Sequence, residues 1–78
     1  MTVTTQTTWN IPQDPNAITT IDAKAAELAA QGKEVSPFTV ILGDTQVTVN
    51  RYWTDTATAE EWIAYVLTFN PVSAAIIS

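Results

Sequence analysis

The sequence predicts an α+β domain in the order strand, helix, strand, strand, helix, strand, and three observations carry that reading. Runs rich in β-branched and aromatic residues alternate at period two over residues 2–9, 36–42 and 46–53. Two other stretches, 20–31 and 58–68, repeat apolar residues at spacings of three and four. Between two of the strand-like runs stands Gly43-Asp44-Thr45, the composition of a tight hairpin. A chain of 78 residues has room for one domain, and a domain that small buries only about 60% of the surface its unfolded chain exposes.

The first strand is TVTTQTTW, with Val3, Thr5, Thr7 and Trp9 on one parity and Thr4, Gln6 and Thr8 on the other. Pro12 and Pro15 then disfavour helix in the residues before them, so residues 10–16 read as a connection. In the first helix Ile21, Ala25, Leu28 and Ala29 form the apolar stripe. Thr19 and Asp22 have capping-box spacing, Asp22 has the sign that suits a helix start, and Gly32 follows the last turn. In the hairpin Gly43 is expected to supply a positive φ, and Pro37, which lacks an N–H, belongs at a strand start or on an edge strand. The second helix has its N-cap among residues 54–58, with Thr58 and Glu61 in capping-box spacing and Glu60 and Glu61 in its first turn. Its stripe is Ala59, Trp62, Ile63 and Val66. Residues 72–77 make a short last strand.

That order is the split βαβ unit, the ferredoxin-like plan, in which the first and third strands are central and both helices cover one face of the sheet. The helix stripes should then pack on Val3, Trp9, Val47 and Val49, and on Phe38, Val40 and Leu42 of the second strand. Parity sends Thr4, Gln6, Thr8, Thr39, Ile41, Thr48, Asn50 and Tyr52 to the other face, which is mostly polar and free to stay wet or to make a hydrogen-bonded contact.

Composition removes most chemistry. With no cysteine and no histidine the chain lacks disulfides, thiolate nucleophiles, Cys/His metal sites and the commonest general base. Ser36, Ser73 and Ser78 have no histidine to activate them, and two glycines make no phosphate-cradling loop. Adjacent Glu60 and Glu61 point about 100° apart on a helix and cannot work as a carboxylate pair. No catalytic residue, cofactor or metal ligand is therefore assigned. Three bases against eight acids, a net charge of -5, argue against nucleic acid and against anionic membranes. No stretch approaches the roughly 20 apolar residues of a membrane span, which with the Thr-rich, uncharged start points to a cytoplasmic protein.

What stands out is aromatic. Trp62 lies on a buried stripe, while Trp9 and Trp53 end strands, where they serve either the core edge or a contact surface. Arg51, the only arginine, is flanked by Asn50, Tyr52 and Trp53; it either binds a partner or pairs with an acid such as Asp55 or an aromatic ring. The candidate interaction residues are Trp9, Ile41, Asn50, Arg51, Tyr52 and Trp53.

The RNA-recognition motif shares the element order, but Thr4, Gln6 and Thr8 stand where it needs aromatics and a basic platform. The plan also resembles the dimeric α+β barrel monooxygenases, whose His, Asn and Trp site pattern has no counterpart here. The stretch RYWTDTATAEEWIAYVLTFNP resembles small proteins encoded by tailed bacteriophages of marine bacteria, which implies a phage origin and a location in the host cytoplasm or the virion. Together these features point to a non-catalytic protein-interaction module, binding a protein partner or a second copy through its open sheet face or the edge strand carrying Pro37. The alternatives are a dimeric small-molecule binder or cofactor-free enzyme, and a structural component of a virion or assembly.

Overall fold

The computed structural model describes residues 2–78, apart from the side chain of Ser36. The elements are β1 (Val3–Asn10), α1 (Pro15–Ala30), β2 (Glu34–Leu42), β3 (Gln46–Trp53), α2 (Thr56–Leu67) and β4 (Ser73–Ile76). They form one four-stranded sheet in the order β2-β3-β1-β4, with every neighbouring pair antiparallel. This is the ferredoxin-like α+β plan, with β1 and β3 central and β2 and β4 at the edges.

Register makes the two sheet faces unlike. Val3 stands opposite Trp53, Thr5 opposite Arg51, Thr7 opposite Val49 and Trp9 opposite Val47, so these odd-numbered residues share the face toward the helices. Under α2 they form a closed core: Trp53, Ala59 and Val66 have no exposed surface, and Trp62 packs on Trp53 with ring centroids 5.0 Å apart. A buried polar chain runs through the same layer. Trp53 Nε1 donates to Thr5 Oγ1 at 2.9 Å, and Thr5 Oγ1 donates to the Arg51 carbonyl at 3.4 Å, so the indole N–H and the hydroxyl are both satisfied inside the core.

Local boundaries differ from expectation where capping chemistry decides them. Helix α1 starts at Pro15, five residues before the expected 20, because Asp14 is the N-cap, accepting from the Asn16 N–H at 2.9 Å. Pro15 takes the first helical position, where its missing N–H is not needed. Residues 15 and 16 therefore belong to the helix rather than to a connection, and the Ile11–Pro12 peptide before them is cis. The Thr19 hydroxyl caps nothing and donates back to the Pro15 carbonyl, and Asp22 lies beyond the first turn. At the other end Gly32 has φ +74°. Its N–H bonds to Ala29 and the Lys33 N–H to Leu28, the two bonds of a Schellman motif.

Helix α2 starts at Thr56, capped by Asp55 rather than Thr58, with Asp55 Oδ1 accepting from the Thr58 N–H at 2.7 Å. Glu60 and Glu61 thus fall outside the first turn, and Glu61 pairs with Lys24 of α1 at 3.6 Å instead. In the hairpin Gly43 does not have a positive φ. Its N–H reaches the Gln46 carbonyl at 2.8 Å, and a Cβ there would stand 2.9 Å from that oxygen, so glycine is needed for closeness rather than for handedness. Strand β2 begins two residues earlier than expected, at Glu34, and carries a register shift between Val35 and Thr39, the segment that holds Pro37.

Candidate docking edge and groove

The helix layer does not cover the whole sheet. Helix α2 lies over β1, β3 and β4, while α1 packs on β2, and two helices leave part of a four-stranded sheet bare. The bare part is the outer half of β2. Phe38, Val40 and Leu42 are on the helix-facing side, yet they are 47%, 52% and 76% exposed. The expectation that they join the core is thus corrected, for want of a helix above them.

Between this strand and the N-terminal half of α1 a cavity of about 170 Å³ opens, walled by Ile18 and Ile21 of α1, Val40 of β2, Val47 and Val49 of β3, and by Trp62. Arg51 also lines it. Its guanidinium is almost fully buried and triply held: Nη1 donates to Glu34 Oε2 at 2.9 Å, Nη2 donates to Asp22 Oδ1 at 3.2 Å, and the group stacks 4.2 Å from the Phe38 ring centroid. The Trp62 ring lies on its other contact at 5.2 Å. Glu34 is buried with it, whereas Asp22 is exposed. Two carboxylates therefore neutralise the one cation, and the groove offers apolar surface rather than an anion site.

The candidate residues divide between the two faces. Arg51 and Trp53 point to the helix side; Trp53, fully buried, has no surface to present, and Arg51 pairs with Glu34 and Asp22 rather than with Asp55. Trp9 packs partly buried against the core and borders the cavity. Ile41, Asn50 and Tyr52 lie on the open face, where Tyr52 Oη and Thr39 Oγ1 are 3.0 Å apart and Thr8 Oγ1 and Thr48 Oγ1 3.3 Å apart. Four residues of this face thus pair with one another, while the buried Oδ1 of Asn50 has no partner. Phe38, Val40 and Leu42 were missed as candidates because period-two alternation marks the buried side of a strand without saying how far the cover extends.

The backbone of β2 adds a second feature. The Gly43 to Gln46 bond makes those two residues a hydrogen-bonded pair, so alternation along the ladder turns the amides of Thr39 and Ile41 toward β3. It turns those of Val40 and Leu42 outward, away from the sheet, while Phe38, on the same side-chain face as both, lies within the register shift. Residues 38–42 thus form an edge with free N–H and C=O groups, no charge, and four apolar side chains among five.

Among the described residues no cluster of acids is arranged to hold a metal ion, and no helix is long and apolar enough to cross a membrane. No family model, curated protein or solved structure matches the chain.

Proposed function

We propose that the protein is a non-catalytic interaction module that binds by strand addition at β2. The observation that carries this reading is the uncharged edge Phe38–Leu42, with outward amides and apolar side chains exposed on both faces. Extended partners dock on such edges through main-chain hydrogen bonds, and alternate side chains set the preference. Soluble proteins usually guard an edge strand with charges or cover it, and this one is guarded only by Pro37 and the register shift beside it. A partner strand would place every second side chain over the groove beside Phe38 and Val40, so an extended segment with alternating apolar residues is the expected ligand.

Selection of binders from a random peptide library, followed by amide hydrogen exchange, tests the reading. Selected peptides should share alternating apolar residues, protect the amides of Val40 and Leu42, and lose binding to Val40→Pro. That substitution removes an outward N–H and leaves the β3 ladder intact. Peptides that bind Val40→Pro equally well, or that protect the open face around Gln6 and Asn50, would sink it. A second reading, a small-molecule binder, is favoured by the cavity alone. Its volume is below the few hundred Å³ usual for ligand pockets, so it ranks behind the edge.

A further inference from the structure

We infer that the segment the β2 edge fits best is the β2 edge of a second copy, paired antiparallel about Val40; this rests on the strand-addition reading above. The apolar stretch lies between Pro37 and the Gly43 turn, and Val40 is at the centre of its residues 38–42. Pairing Val40 with Val40 of a second copy sets Phe38 opposite Leu42 and Thr39 opposite Ile41, and the reverse, as a two-fold axis requires. Three properties then agree. The outward amides of the regular ladder belong to Val40 and Leu42, which are residues that must form hydrogen-bonded pairs in this register. A register shifted by one residue would set outward amides against inward ones.

The side chains agree as well. With the axis normal to the sheet, the helices of both copies stay on the same side, and the most exposed apolar residue, Leu42, comes to rest beside the Phe38 ring that stacks on Arg51. Each copy thereby covers the groove of the other, and each Phe–Leu cross-strand pair is apolar. Charge agrees too. Two acidic chains repel, but residues 35–43 carry no charge, and of the flanking acids Glu34 is spent on Arg51 while Asp44 sits at the hairpin. No like charges meet across the axis. An eight-stranded sheet results, with β4 as its only free edge in each copy.

The experiment is the solution mass of the whole chain by light scattering across a concentration series, with two variants at the axis. Wild-type protein should move toward twice the chain mass of 8.5 kDa as concentration rises. Val40→Lys and Val40→Glu each set like charges face to face at the axis and should raise the dimer dissociation constant at least tenfold. An equimolar mixture of the two should recover association, a readout that a folding defect in either variant cannot produce, and far-ultraviolet circular dichroism confirms that each is folded. A wild-type chain that stays monomeric at millimolar concentration overturns self-pairing, and library peptides that still bind its edge would then leave strand addition standing. A dimer indifferent to both variants uses another surface and overturns the register and the inference. Variants that dissociate singly but do not recombine overturn the Val40 axis.

Discussion

Directly under α2 the helix layer is closed, with Trp62 packed on Trp53 and with Ala59 and Val66 fully buried; over the outer half of β2 it is open, and Phe38, Val40 and Leu42 face solvent on the same side of the same sheet. The two regions have similar strand sequences. They differ in what lies above them, and in the residue at their border: Arg51 belongs to a central strand, but its charge reaches the open half, where Glu34 and Asp22 hold it. An apolar side chain on a strand is thus buried or exposed according to the reach of the neighbouring helix.

The largest test of this contrast is truncation on each side. Trp62→Ala should cost about 4 kcal/mol, since it removes a buried aromatic and leaves a cavity, which in a domain this size leaves little net stability. Leu42→Ala, measured at concentrations where the chain is monomeric, should cost less than about 0.5 kcal/mol. Urea unfolding followed by circular dichroism reads both, and comparable losses at the two positions would show that the β2 side is packed after all.

At the border, Arg51→Ala should cost about 3 kcal/mol, because it strands the buried Glu34 carboxylate without its partner. Adding Glu34→Gln should recover a good part of that loss. Failure of the second change to recover stability would mean that Arg51 matters for its stacking on Phe38 and Trp62 rather than for its charge.

The smallest effect belongs to Asp55, whose carboxylate accepts the Thr58 N–H and is held below the usual carboxylate range mainly by that bond. Its folded pKa lies below its unfolded one, so its contribution is present above about pH 3.8 and lost as pH falls through the lower folded value. The difference in melting temperature between wild type and Asp55→Ala should therefore be constant near neutral pH and shrink in acid. A difference that persists undiminished at pH 2 would show that shape, not the charged cap, is what the residue supplies.

Much of this was legible in the residues. The alternation of TVTTQTTW and of QVTVNRYW gives two strands and their faces, the three-and-four spacing of Ile21, Ala25 and Leu28 and of Ala59, Trp62 and Val66 gives the buried helix stripes, and Pro37 marks an edge. These are properties of a strand or helix taken singly. The helix starts were less legible, because Thr19 and Thr58 fit the same local cap rules as Asp14 and Asp55, and only the folded backbone shows which oxygen meets an unpaired N–H.

The order of elements, their periodicity, and the lack of cysteine and histidine chemistry follow from residue type and spacing along the chain. That Trp53 is core, that Arg51 is shared by Glu34 and Asp22, and that Phe38, Val40 and Leu42 are bare is visible in the folded chain alone. The reason is that burial is a relation between elements distant in sequence: period two names the side of β2 that faces the helices, and the placement of α1 and α2 sets how much of that side they cover.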